Sequence, residues 1–355
     1  MPRLRTLASP VPGVQIAYDF VSEAEEQYLL QRIDAVGGGG PRSAGTEHPS
    51  TGLSDADGRD NGAESATTNA AAEPSGRRAW GWKDLNGRRS MYWGGTVTPS
   101  GSLVPAAFPA FMDSAWPNVL DRIAETGVYD AWTGGNGSGK TRGPNHCLVN
   151  EYLPGEGIMP HTDGPAYLPC TTTLSFGSHT VLHLRSKPSH LSSPSAPSYS
   201  PSTEPSSDLS PSPDPDPDSA KRASIAQVQK LDLLLPARSL LVLSDELYHD
   251  WLHGIGPLRG DSVEGLSGCA NWEDWWAYRT EVAAAGAERV DGAEEGGGGG
   301  GGGGAARVEA ERRMVEEGKG WERQRRVSLT CRRVAGKVRN LGGILGGGGG
   351  AKRRQ

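Results

Sequence analysis

The sequence predicts a mainly β protein (α+β), folded as a double-stranded β-helix, that is, a jelly roll with N-terminal helices and long disordered inserts. Three observations point there. Short alternating or apolar runs recur at close spacing between turn residues: His146–Tyr152, Thr172–Phe176, Thr180–Leu184, then KLDLLL and SLLVL, and finally Arg326–Val334. Helical periodicity is confined to the first half, apart from a charged helical piece at 305–317. Between the periodic pieces lie stretches too poor in apolar residues to form a core.

Pro12 to Ile16 reads as a strand. Ser22 follows as a helix N-cap with Glu25 as its capping-box partner, and Leu29, Leu30 and Ile33 supply the apolar face. This N-terminal strand and helix occupy residues 1–35. A Gly/Ser/Ala/Asp-rich disordered insert covers 36–76. The first part of the folded domain spans 77–185. It opens with RRAWGWKDLNGRR, where Arg77, Arg78, Arg88 and Arg89 interleave with Trp80 and Trp82. Arginines suit phosphates and aromatic faces suit unstacked bases, so this patch is a candidate nucleic-acid contact. The alternative is a solvated hairpin whose tryptophans pack on the core. Pro105 to Ile123 is expected as one packing helix, and a Gly-rich turn (134–139) leads into the strand from His146. That strand sends Cys147, Val149 and Glu151 to one face and His146, Leu148, Asn150 and Tyr152 to the other.

A Pro/Ser-rich insert (186–226) separates this part from residues 227–256, where two buried strands meet at Pro236-Ala237-Arg238. Residues 257–321 form a Trp- and Gly-rich insert. Its NWEDWWAYR segment (271–279) could equally cover an edge of the barrel or bind a partner. The last strand lies in 322–342, and a Gly-rich basic tail (343–355) ends the chain.

Glycine (51) and proline (26) are concentrated in a few runs of the 355 residues, and 35% of residues are apolar. That leaves ~220 residues able to bury a core, enough for one domain with inserts. A formal charge of −6 gives no global attraction to nucleic acid, so any such attraction is local. Cys147, Cys170, Cys269 and Cys331 show no C-x-x-C spacing, which argues against zinc and a disulfide framework and for a reducing compartment. No leader-like apolar region and no run of ~18 apolar residues is present. A soluble monomer of nucleus and cytoplasm is expected, with no membrane partner.

The chemistry centres on His161-Thr162-Asp163 in NEYLPGEGIMPHTDGP. On a strand, residues i and i+2 share a face, so the imidazole and carboxylate project together. Two histidines and a carboxylate with open positions opposite suit non-haem Fe(II). The second histidine comes from DELYHDWLHGI, which offers His249 and His253. His146, His179 and His183 read as structural. In RVSLTCRRV, Arg326, Ser328, Thr330 and Arg332 alternate against Val327, Leu329 and Cys331.

H-x-D, a distal His before Gly-Ile and an R-x-S-L-T-x-R strand, in that order, resemble the AlkB family of Fe(II)/2-oxoglutarate dioxygenases. The resemblance is strongest to the AlkB homologue 6 branch and covers roughly residues 12–34, 77–185 and 228–340. It implies His161, Asp163 and His253 as metal ligands and catalytic centre, with Fe(II), 2-oxoglutarate and O2 as cofactor and co-substrates. It further implies Arg326, Asn150 and Tyr152 as 2-oxoglutarate contacts, with Arg332 near metal and substrate. Residues 77–89 align with the family's substrate lid, and the ligands are expected to sit exposed in a pocket. The activity implied is oxidative demethylation of alkylated nucleic acid, single-stranded or flipped out, with formaldehyde, succinate and CO2 released. Oxidation of a protein side chain and a non-catalytic binding scaffold are the alternatives, since fold alone does not fix a substrate.

Overall fold

The computed structural model describes residues 2–38, 40–42, 80–134, 142–187, 228–290, 303–318 and 320–336. The bulk of the low-complexity inserts, the basic tail, and Arg77 and Arg78 lie outside them.

The chain enters through strands β1 (Arg5–Thr6) and β2 (Val14–Ala17) and then helix α1 (Glu23–Gly37). Ser22 starts that helix as expected. Its hydroxyl accepts from the Glu25 N–H at 3.2 Å, and Glu25 accepts from the Ser22 N–H at 2.8 Å. Both donors would otherwise be orphaned at the helix start. Ser22→Ala is expected to cost about 1 kcal/mol in a denaturant titration, with Ser22→Thr close to the parent.

Strands β3 (Lys83–Leu85) and β4 (Arg88–Trp93) form a hairpin, followed by β5 (Gly95–Val97) and β6 (Leu103–Pro105). The single helix expected over 105–123 is instead two, α2 (Ala110–Asp113) and α3 (Val119–Glu125), with α4 (Asp130–Thr133) after them. Pro117 supplies no N–H and cannot continue a helix, and Trp116 beside it is 55% exposed rather than core.

The jelly roll proper comprises β7 (His146–Tyr152), β8 (Ile158–His161), β9 (Tyr167–Gly177), β10 (Thr180–Ser186), β11 (Lys230–Leu235) and β12 (Leu240–Ser244). Helix α5 (Asp245–His249) then turns the chain into β13 (Trp251–Ile255). After β14 (Gly260–Asp261), α6 (Val263–Ser267), α7 (Trp272–Val290), α8 (Gly303–Glu317) and β15 (Trp321–Glu322), β16 (Arg326–Val334) closes the fold.

An eight-stranded sheet in the order β1-β2-β12-β9-β16-β7-β4-β3 faces a four-stranded sheet, β11-β10-β13-β8. Neighbouring strands within the two sheets are antiparallel throughout. Alternation divides the core accordingly. Cys147, Val149, Leu174, Val327, Leu329 and Cys331 pack outward with Leu29 and Ile33 of α1 and with Ile123 of α3. Leu182, Leu184, Leu233, Leu235, Leu241 and Leu243 fill the other cluster together with Tyr152 and Ile255.

Helices are not confined to the first half. The 257–321 stretch carries α7 and α8, and NWEDWWAYR covers an edge. Trp272, Trp275 and Trp276 are buried. Asn271 donates to the Leu234 carbonyl at 2.8 Å and accepts from the Leu234 N–H at 2.8 Å, and the Ala270 N–H reaches the Asp232 carbonyl. β11 is an edge strand, and these bonds occupy backbone groups that would otherwise stand unpaired.

The insert after α1 also begins inside the fold. Arg42 Nε donates to Glu151 Oε2 at 2.6 Å and Arg42 Nη2 to Glu156 at 2.7 Å. Glu151, fully buried, also takes Arg89 and Arg325. Burial works to raise its carboxyl, but Arg89, Arg42 and Arg325 outweigh that and hold it below the usual carboxylate range.

Candidate active site

His161 ends β8 and His253 lies on β13, directly opposite it in the register. Cross-strand partners project side by side, and the two imidazole centroids are 4.4 Å apart. The strands can approach because position 254 is glycine: a Cβ there would stand 2.9 Å from the Ile158 carbonyl oxygen. Asp163 follows two residues after His161, its Oδ1 3.9 Å from His253 Nε2. Ligand atoms of His161, Asp163 and His253 all lie within 4.8 Å of one another, the one such group of His, Cys, Asp or Glu among the described residues. His249 is exposed at the end of α5 and has no place in it.

The protonation states suit a cation. His161 Nδ1 is 2.9 Å from the Met159 carbonyl, which can only accept, so Nδ1 is the donor and Nε2 is the nitrogen left for a metal. Burial drives His253 down to about 4, against the opposing pull of Asp163, so its ring is neutral. Asp163 is not the exposed ligand expected, for its side chain is 3% exposed. Burial would raise its carboxyl, but Arg332 (Nη1 at 3.4 Å), His253, the Thr171 hydroxyl (2.6 Å) and His161 together keep it below the ordinary range.

A narrow cavity of ≈ 50 Å³ runs inward from the triad, lined among others by Asn150, Tyr152, Arg326 and Ser328. Their convergence follows from register: β16 pairs Arg326 with Tyr152 and Ser328 with Asn150 on β7, and Ser328 with Ser175 on β9. Arg326 is 3% exposed and donates from Nη2 to the Ser175 hydroxyl at 2.9 Å. Its Nε and Nη1 are buried without a partner among the described residues. Burial pulls the guanidinium down to about 10, so it remains charged at neutral pH. A buried cation with two unsatisfied donors needs an anion. The donor fork fits a carboxylate in two-point contact, as the far end of 2-oxoglutarate would provide. The triad likewise fits Fe(II), offering two imidazole nitrogens and one carboxylate.

The chain is 32% identical over 256 residues, 72% of its length and 73% of the relative's, to a Danio rerio protein described as "Probable RNA/DNA demethylase ALKBH6". It belongs to the AlkB family of Fe(II)/2-oxoglutarate dioxygenases. The uncharacterized protein L905 of Acanthamoeba polyphaga mimivirus is 27% identical over 123 residues, 34% of this chain and 41% of that one. Among solved structures, OsALKBH1 aligns with 92% of this chain and 99% of its own at 13% identity, with a TM-score of 0.36. No family model matches the chain.

Beside the AlkB triad opens a groove of ≈ 710 Å³, lined by Trp80, Lys83, Tyr92, His146 and Tyr167 among others. The Arg/Trp patch expected to face it divides by strand alternation. Arg89 turns inward: it is 7% exposed, bonded to Glu151 at 2.9 Å, and its guanidinium lies 4.4 Å from the Trp82 ring centroid. It is therefore a structural cation rather than a phosphate contact. Trp82, held under Arg89, forms wall rather than a free stacking platform. Arg88 turns toward the inner cavity, its Nε 3.2 Å from Asn150 Oδ1. Trp80 remains at the groove.

Sequence reasoning missed Thr171, Ser175, Tyr92 and Tyr167. The signal for the first two was partial: Thr171, Thr173 and Ser175 share one strand face, but Thr172 on the opposite face is polar as well and masks the alternation. His146 lies outside the metal-ligating cluster. It stacks between Tyr92 and Tyr167, meets the Tyr167 hydroxyl at 3.2 Å, and is pushed down to about 4, chiefly by burial. His179 meets Asp261, and His183 meets Asp232.

Proposed function

We propose that this AlkB-family oxygenase demethylates alkylated nucleic acid. The observation that carries the reading is the aromatic groove beside the triad. Tyr167 joins groove to site: Arg332, which pairs with Asp163, lies 4.8 Å from its ring centroid. Tyr92 is 49% exposed and stacks on His146 with an interplanar angle of 27°, leaving a free aromatic face. Aromatic faces accept any unpaired base. The Danio rerio relative, described as a probable RNA/DNA demethylase, favours the same substrate class.

In this reading His161, Asp163 and His253 hold Fe(II), while Arg326, Asn150 and Tyr152 hold 2-oxoglutarate. When bound, that pair supplies the oxidation of an N-methyl carbon with O2, giving succinate, CO2 and, from the hydroxylated methyl, formaldehyde. The protein's own part is orientation and exclusion of water. Arg332 and Thr171 keep Asp163 ionised and fixed. The leucines lining the inner cavity keep it dry, and Tyr92 with Trp80 presents the unstacked base to the opening. Duplex substrate would have to extrude its base.

Tyr92→Ala is expected to weaken binding of a methylated single-stranded oligonucleotide by roughly 1–3 kcal/mol with little change in salt dependence. Lys83→Ala is expected to flatten the salt dependence by about 0.7 if it meets one phosphate. Fluorescence anisotropy across a salt series measures both, and substrate-free turnover of 2-oxoglutarate is expected to survive them. Oligonucleotide affinity indifferent to both changes would instead favour a protein side chain, consistent with Arg89 being committed to the interior.

A further inference from the structure

We infer that Arg88, a residue of the lid hairpin, is a positioning residue for 2-oxoglutarate that acts by fixing the orientation of the Asn150 carboxamide. A side-chain amide has one accepting and one donating end, and either can face a given direction unless its neighbours decide. Here they decide. Asn150 is 4% exposed and lines the inner cavity, and its Oδ1 accepts from Arg88 Nε at 3.2 Å. A guanidinium is donor-only. Turning the amide over would set its NH2 against that N–H, two donors face to face. Arg88 therefore holds Oδ1 toward itself and leaves the Nδ2 end for the cavity. Among the described residues that end finds no acceptor. 2-Oxoglutarate presents carboxylate and keto oxygens, all acceptors, so the imposed orientation is the one that can bind it.

The hairpin geometry supports the assignment. β3 and β4 are joined at Asn86-Gly87, and β4 lies against β7 with Ser90 opposite Asn150 and Arg89 opposite Glu151. Glu151 locks Arg89 on one face, and alternation sends Arg88 to the other. The turn is tied down where the Gly157 N–H donates to the Gly87 carbonyl at 3.0 Å. Arg88 is also close enough to Tyr152 to act on its hydroxyl electrostatically, as Arg326 does. The same hairpin contributes Lys83 to the substrate groove, so lid and co-substrate are joined through one side chain.

The test is 2-oxoglutarate binding to the anaerobic Fe(II)-loaded full chain, followed by the visible charge-transfer absorption of the chelate and by calorimetry. Arg88→Ala is expected to weaken binding about tenfold, the lower end for a hydrogen bond to a charged group, while Arg88→Lys recovers part of it. The deciding measurement is the double-mutant cycle with Asn150→Ala. If Arg88 acts through the amide, Arg88→Ala adds little once Asn150 is gone. Full additivity, or unchanged affinity in Arg88→Ala with the parent's melting temperature, would overturn the inference. Parent protein that fails to bind 2-oxoglutarate would instead overturn the co-substrate assignment on which the inference rests. The oligonucleotide reading is untouched by either result.

Discussion

His161→Ala is expected to remove iron-dependent succinate formation by more than about 100-fold, because even residues that only orient metal ligands cost ~10–100-fold when changed. The fold should survive, since His161 is partly exposed at a strand end and its one hydrogen bond is to a neighbouring carbonyl. His253→Ala is expected to match it in activity. Asp163 requires a different substitution. It is buried against Arg332, and alanine would strand that guanidinium, whose Nε already lacks a partner; breaking such a pair from one side costs ~3–5 kcal/mol. Asp163→Asn keeps the volume and a partial acceptor, and separates loss of metal from loss of fold. His249→Ala, outside the cluster, is expected to leave succinate formation unchanged. Iron content, succinate yield and melting temperature, measured together on the four variants, check the assignment. Full activity in His161→Ala would refute it.

What could be read from the sequence was what local periodicity controls. The R-x-S-L-T-x-R strand displays its polar face because the strand period is two, whereas in H-x-D that argument reaches only His161: β8 ends there and Asp163 lies beyond the strand. The competition between His249 and His253 was resolved by the Gly-Ile following His253. The structure gives a physical ground for that choice: residue 254 sits where β13 crosses close to β8, and a side chain there would force the strands apart. Arg88 and Arg89 show where local reading stops. Adjacent strand residues must face opposite ways, but which face is interior depends on Glu151, Arg42 and Arg325, brought in from three distant segments. NWEDWWAYR was ambiguous for a similar reason. Its Asn271 covers β11, an edge that exists only once the second sheet has formed. The helix expected over 105–123 failed locally, at Pro117, whose veto on helix continuation outweighs the apolar pattern on either side.

Arg326→Lys is expected to raise the 2-oxoglutarate concentration for half-maximal turnover about 10- to 150-fold, the range equivalent to losing ~1.5–3 kcal/mol of charge-assisted hydrogen bonding. Lysine keeps a positive charge but not the planar fork, and its ammonium would have to serve both the Ser175 hydroxyl and a carboxylate. Burial adds a dependence on pH. It already pulls the guanidinium of Arg326 down to about 10. An ammonium starts lower, near ~10.4, and the same desolvation drives it further down. The sign follows: the parent keeps its cation across neutral and mildly alkaline pH, whereas the lysine variant loses its own as pH rises. The gap between the two should therefore widen from about pH 6.5 to 9. Arg333→Lys is the control, since Arg333 donates to the Gly143 carbonyl away from the cavity and should show neither effect. Half-saturation measured for the three proteins across that range checks the claim. Equal shifts in Arg326→Lys and Arg333→Lys, or a gap that narrows as pH rises, would place the co-substrate carboxylate elsewhere.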